Sequence, residues 1–279
     1  MSSPLSRGAP PPAPEFQRTS SPRLAALFLR VSAMNEVQYR VNFFVQLVQS
    51  MITLGTGIVV LALVFSQTNE LGGWTRPELL AVMGVFTMAG GVIRTLVQPN
   101  MQRLLEEIRD GTLDYALTKP ADAQVLVSVR EVRIWQSVDI VLGLGVLVVA
   151  MVQLGSEIGV AEVLAFVALL LLGSVMIYCF WLMLATAGFW LVRMDEVQEL
   201  FEGLYRAGQY PVGIYPGWLR YGLTFLVPLA FAVTVPAEAI TSRLTWGTVL
   251  LAVVVALVLV LVSRWLWHRG LTRYSGASS

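Results

Sequence analysis

The stretch TVLLAVVVALVLVLVS, from Thr248 to Ser263, carries no charge and almost no polar atom. With its flanks it extends from Trp246 to Trp267, about the ~20 residues that a helix needs to cross a hydrocarbon core. Trp265 and Trp267 stand at one end, and Trp246 at the other shares its side with Trp74. That placement suits the aromatic belts at the two membrane interfaces.

Four more runs of this kind lie upstream. They cover about Val41 to Phe65, Glu78 to Val97 (ending at Pro99), Ile134 to Leu154 and Val160 to Val192. Composition agrees: 56% of the 279 residues are apolar and 13% charged, whereas a soluble domain carries about a quarter charged residues. Mean hydropathy is +0.69. The expected fold is an all-α membrane protein, a polytopic bundle of six transmembrane helices with an N-terminal interfacial helix.

The sixth crossing has two readings. Gly222 to Ile240 is apolar but broken by Pro228 and Pro236, and the stretch before it carries Glu199, Glu202 and Arg206. Either Leu219 to Val235 is the fifth span, or Val197 to Tyr215 is a short fifth span and the proline-broken run re-enters the membrane. Hydropathy favours the first. Both leave the C-terminus on the same side.

Outside the spans, residues 1–22 are rich in Pro, Ser and Ala, and too poor in apolar surface to offset their ordering entropy. They read as disordered and not as a secretory signal. Residues 23–40 place Leu24, Leu27, Phe28, Val31 and Met34 at helical spacing, with Arg23, Arg30 and Gln38 between. This is the pattern of an amphipathic helix lying on the membrane surface. The six-helix domain then runs over 41–274, with a loop at about 99–131, and 275–279 form a tail.

Charge sets the orientation. Arg7, Arg18, Arg23, Arg30 and Arg40 precede the first span, and Arg103, Arg109, Lys119, Arg130 and Arg133 lie between the second and third. Arg264, Arg269 and Arg273 follow the last, while the loop 66–77 offers Arg76 alone. By the positive-inside rule both termini and the long loop are cytoplasmic.

Several chemistries are excluded. No Gly-rich phosphate loop ending in Lys-Ser or Lys-Thr occurs, so ATP is not bound by that route. Cys179 and His268 are the single cysteine and histidine. A rhomboid-like protease would need an intramembrane histidine beside a serine such as Ser174, and a zinc site needs several ligands. No catalytic, cofactor-binding or metal-binding residues are expected. The net charge of +1 gives no reason to expect nucleic acid. A proton-coupled carrier is disfavoured because mid-membrane carboxylates are lacking. Arg94 and Asp139 fall at similar depth near one end of the second and third spans, where pairing would relieve their burial. They form a candidate intramembrane ion pair. Small residues recur at Gly55 and Gly57, Gly90 and Gly91, and Gly143 and Gly145, where helices can approach closely.

The segment QRLLEEIRDGTLDYALTKP, Gln102 to Pro120, is the most informative outside the membrane. Leu104, Leu105 and Ile108 put an apolar stripe on a short helix that Gly111 would terminate. A second turn presents Leu113, Ala116 and Leu117, with Asp114 and Lys119 beside them, before Pro120 stops it. Such short striped helices suit insertion into a groove on a soluble partner.

The string EIRDGTLDYALTKP, Glu107 to Pro120, resembles the loop motif of bacterial ABC-2 family transporter permeases, and within them the viologen-exporter-type subgroup. QYPVGIYP (Gln209 to Pro216) and LTFLVPLAF (Leu223 to Phe231) are similar to the same subgroup. The resemblance covers about 23–274, and it favours the second reading of the fifth span, Val197 to Tyr215. It implies a permease subunit of an ATP-driven exporter in the bacterial cytoplasmic membrane. ATP would be bound by a separate cytoplasmic ABC ATPase, and a second permease subunit, identical or related, would complete the path. The coupling residues it implies are Leu104, Leu105, Ile108, Gly111, Leu113, Asp114, Leu117, Lys119 and Pro120. The alternative is a non-transporting membrane scaffold or assembly factor that holds a soluble partner through the same loop. The transported substrate is not legible in these residues.

Overall fold

The computed structural model describes residues 40–119, 122–155, 159–190 and 203–274. The Pro-rich segment 1–22, the expected interfacial helix 23–40 apart from its last residue, Pro120 and the tail 275–279 lie outside the described residues. Among the described residues five helices are long and apolar enough to cross a membrane: α1 (Arg40–Phe65), α2 (Arg76–Arg109), α5 (Ile134–Leu154), α6 (Val160–Ala187) and α9 (Trp246–Leu271). Two short helices, α3 (Asp114–Leu117) and α4 (Ala123–Ser128), lie between α2 and α5. A bent pair, α7 (Gly217–Leu226) and α8 (Ala230–Ile240), precedes α9.

Local chemistry sets the ends. The Glu78 carboxylate accepts from the Thr75 N–H at 2.7 Å and the Thr75 hydroxyl at 2.9 Å, which starts α2 with Pro77 in its first turn. Gly155, at φ +62°, closes α5 in the left-handed conformation that glycine adopts without strain. The Thr245 hydroxyl accepts from the Thr248 N–H at 3.2 Å and starts α9.

α2 does not stop at Pro99. Its turn Ile93–Val97 is π-helical, and the Gln98 N–H donates to the Ile93 carbonyl. The wider turn takes up the proline, which has no N–H to give, and the helix continues to Arg109.

α2 is the axis of the bundle: 72% of its apolar window is buried, against 17% for α1 and for α9. It packs most closely on α5, because neither Gly84 nor Gly143 has a side chain. A Cβ on Gly143 would lie 2.5 Å from the Met88 nitrogen and 2.7 Å from the Gly84 oxygen. Gly173 of α6 lies equally close to the α8 backbone at Phe231 and Ala232. Contact between backbones of this kind holds helices together in lipid, where hydrocarbon does not drive them together.

The path from α6 to α9 settles where the remaining crossing lies. Gly188, just past α6, packs on Leu105 and Ile108 at the basic end of the bundle. By Ile214 the chain has reached Gly72 at the far end. On the way Tyr205 stacks on Phe86 with ring centroids 4.8 Å apart, and its hydroxyl donates to the Phe86 carbonyl at 2.9 Å. The chain therefore passes from one end of the bundle to the other between Gly188 and Ile214; residues 191–202 of that path, including the start of the expected span Val197 to Tyr215, lie outside the described residues.

The bent pair then leaves and returns at one rim. α7 starts beyond Ile214, the chain turns through 77° around Pro228, and α8 leads to Arg243. The Arg243 guanidinium donates to Glu78 at 2.7 and 2.9 Å and to the Gly73 carbonyl at 2.6 Å, and lies over the Trp74 ring. The proline-broken run is a re-entrant hairpin. It is apolar because most of α8 is buried in the protein, largely against α6.

Candidate functional site

Two polar constructions stand out. The first joins three helices inside the bundle. Asp139, near the start of α5 and 2% exposed, accepts from Arg94 Nη2 at 2.6 Å and from the Ser50 hydroxyl of α1. The Gln46 amide, one turn before Ser50, reaches Asp139 at 3.5 Å and Ser50 at 3.0 Å. Arg94 sits in the π-helical turn of α2, and its guanidinium lies against Gly90, beside the Tyr205 hydroxyl. The carboxylate thus carries hydrogen bonds as well as a counter-charge, which burial of an ion requires.

The second construction is the segment between α2 and α5. Gly111 ends α2 at φ +70°; the Thr112 N–H reaches back to the Glu107 carbonyl at 2.9 Å and the Gly111 N–H to Ile108 at 3.4 Å. These two bonds form a Schellman closure. The chain then turns through α3 and α4 and returns along α2.

Asn100 holds that return. Its Nδ2 donates to the Glu131 and Leu96 carbonyls at 2.7 Å each, and its Oδ1 accepts from the N–H groups of Arg130 (2.8 Å) and Glu131 (2.9 Å). Around it Glu107 accepts from Arg130 at 2.6 Å and Arg103 at 3.1 Å, and Arg103 reaches Glu131 at 2.8 Å. Nothing in the sequence pattern marks Asn100 apart from its place after a proline. We expect Asn100→Ala to leave three buried backbone groups without partners, at about 1–3 kcal/mol each. Hydrogen exchange at the Arg130 and Glu131 amides should rise strongly, and Asn100→Asp should fall between.

The other side of the segment is tied to α6 and α9. Asp122 caps α4, accepting from Gln124 N–H at 2.9 Å and Val125 N–H at 3.3 Å, and pairs with Arg264 at 3.2 Å. Burial would raise this carboxyl, but the backbone N–H groups and the guanidinium outweigh it and hold it below the usual range. The Tyr178 hydroxyl of α6 meets the Ser128 hydroxyl at 2.7 Å. Tyr274, beyond α9, packs on Phe189 with centroids 5.8 Å apart and lies against the Leu113 and Asp114 backbone.

The expected coupling residues divide accordingly. Leu104 and Leu113 are buried within the chain itself, Leu113 completely, and Leu105 and Ile108 pack on the end of α6 at Gly188. The leucine stripe thus fastens the segment to its own bundle. The outer surface is formed by Tyr115, which is 79% exposed, and by Thr112, Leu117, Thr118 and Lys119, with Asp114 half-buried at its edge. The apolar pattern pointed to Leu113; the exposed aromatic beside it drew no notice because one tyrosine makes no periodicity.

Among the described residues no group of three or more His, Cys, Asp or Glu stands together. Residues 51–278 match the family described as ABC-2 family transporter protein. No curated protein and no solved structure matches the chain.

Proposed function

Given that this chain belongs to the ABC-2 family of transporter proteins, we propose that it is the permease subunit of an ATP-driven exporter, docking a separate cytoplasmic ATPase through the tip at Thr112–Lys119. The family is a membrane transport component, and the chain is a multi-pass membrane protein. The observation that carries the docking is the tip itself. It is held on three sides by α2, α6 and α9, yet turns Tyr115 and Leu117 outward on a turn closed at both ends. A solvent-facing loop with no partner has no need of such anchoring.

In this reading the basic end faces the cytoplasm, as do both termini. ATP is bound and hydrolysed by the partner. Closure of the ATPase pulls on the tip, and the rigid segment passes the motion into α2, α6 and α9. A second membrane subunit completes the path. The motif likeness supports a bacterial cytoplasmic membrane as its location and the viologen-exporter-type subgroup as its kind.

Tyr115→Asp and Leu117→Asp, which bury no new charge in the fold, test this. With a candidate ABC ATPase co-expressed, we expect co-purification to fall at least about tenfold, the loss of about 1.4 kcal/mol or more of binding. The bundle should stay monodisperse with unchanged tryptophan fluorescence. Undiminished co-purification of both variants would remove the docking assignment.

A further inference from the structure

α9 carries two stripes of the same spacing. Ala252, Ala256, Leu259, Ser263, Trp267 and Gly270 are buried, and a Cβ on Gly270 would lie 2.5 Å from the Phe189 ring. Two residues earlier at each step, Leu250, Val254, Leu257, Leu261, Trp265 and His268 are exposed. Two residues are about 200° of helix, so the second stripe runs down the opposite side. Its first four members are hydrocarbon and suit acyl chains. Then the chemistry changes. Trp265 is 62% exposed, His268 follows it, Arg264 and Arg269 flank the pair, and Arg273 stands one turn further on.

The change comes at the depth where a bilayer changes too. The 19 residues from Trp246 to Trp265 rise about 28 Å, close to a hydrocarbon core of about 30 Å. The groups beyond Trp265 therefore lie at headgroup level. Other arginines at this end are engaged by the protein: Arg103 and Arg130 with Glu107, Arg109 with Asp110, and Arg133 with the Gln102 side chain. Arg264 is half engaged, pairing with Asp122 at 3.2 Å while 52% exposed. Arg269 and Arg273 pair with no carboxylate among the described residues, and α9 itself carries none. The helix dipole favours a cation in the last turn, but one is enough for that. It accounts neither for Arg273, beyond the helix end at Leu271, nor for the exposed tryptophan.

We propose that this end of α9 holds an anionic phospholipid, its phosphate between Arg269 and Arg273 and its acyl chains along Leu261 and Leu257. The two arginines are four residues apart, near enough for both guanidiniums to reach one phosphate. Continuity of the face decides the occupant. One stripe meets hydrocarbon and then charge, and a lipid fills both halves where a soluble anion fills one. Trp265 stands at the join, the level where tryptophan settles in a bilayer. Arg264 also donates to Gln124 and Asp122 of α4, so the headgroup borders the tie between α9 and the α2–α5 segment. The proposal rests on the membrane-spanning architecture and is independent of any ATPase.

Native mass spectrometry of the full chain, purified in mild detergent with equal amounts of phosphatidylglycerol and phosphatidylcholine, tests the site. The parent should retain phosphatidylglycerol at least about fivefold over phosphatidylcholine, the effect of one arginine's attraction of about 1 kcal/mol. Arg269→Gln should lower retained phosphatidylglycerol about fivefold by the same measure. Arg269→Gln/Arg273→Gln should abolish the preference, and Arg269→Lys should keep most of it. Arg109→Gln at the same end and Arg76→Gln at the other remove the same charge from exposed positions and should leave the preference unchanged. All these side chains are exposed, so each variant should run as a single folded peak. No preference in the parent, or an equal fall in Arg109→Gln, would overturn the proposal. So would displacement of the lipid by millimolar glycerol 3-phosphate, which would make the site one for a soluble anion.

Discussion

Arg94→Leu is expected to be among the most damaging single substitutions in the bundle. It removes the counter-charge from Asp139, whose side chain is 4% exposed, and leaves Ser50 and Gln46 alone to hold the carboxylate. Breaking a buried pair from one side costs about 3–5 kcal/mol, because the remaining ion is neither solvated nor paired. In a thermal melt of the detergent-solubilised protein followed by tryptophan fluorescence, this is a fall of roughly 10 °C. Asp139→Ala should cost less, since the Arg94 side chain is 39% exposed and keeps some access to solvent. The double variant Arg94→Leu/Asp139→Leu should recover much of the loss, as apolar replacement of whole buried pairs often does. A single variant as stable as the parent would show that the pair does not hold α2 to α5.

Gly143→Leu tests the same helix pair by shape. The new Cβ would meet the Met88 nitrogen and the Gly84 oxygen, both backbone atoms that no rotamer change can move. α2 and α5 would have to separate along their length. The cost should reach or pass the upper end of the roughly 1–3 kcal/mol usual for overpacking. We expect aggregation in size-exclusion chromatography. Gly145, two residues on, has nothing within 4 Å of its missing side chain. Gly145→Leu should run as a single folded peak, and equal behaviour of the two would exclude backbone contact at Gly143.

The glycines show what the sequence could and could not disclose. Gly143 and Gly145 look alike in a string of Leu and Val, and only the partner helix separates them. The long spans were legible because α1, α5, α6 and α9 keep uniform apolarity over the bilayer thickness. Arg94 and Asp139 were legible as a pair because charges are scarce in the spans and these two share a depth. The sixth crossing was not legible in hydropathy; only the likeness to the family favoured the stretch before Tyr215. Hydropathy registers removal from water, whether lipid or protein replaces it, so the hairpin 217–240, whose second arm is buried in the protein, looked more like a span than the charged stretch before Tyr215. The leucines of the loop follow the same logic: periodicity said that Leu104 and Leu113 would be covered, and could not say by what. Asn100 was invisible because three of its four hydrogen bonds go to backbone groups of Arg130 and Glu131, far along the chain.

The unbroken course of α2 through Pro99 has a mechanical corollary. From Arg76 to Arg109 the helix is 34 residues long, about 51 Å, well beyond a bilayer core of about 30 Å. Gly84 is the first of its close backbone contacts with α5, at Gly143 and Leu147. From there about 38 Å of shaft runs to Arg109 and about 12 Å to Arg76. With Gly84 as fulcrum, the arm that ends beside the tip is about three times the other. A stroke of about 3 Å at Arg109 would arrive at the Glu78–Arg243 clasp as about 1 Å, with the force multiplied in proportion. The geometry is that of a crowbar, trading travel for leverage at the rim where the hairpin is fastened.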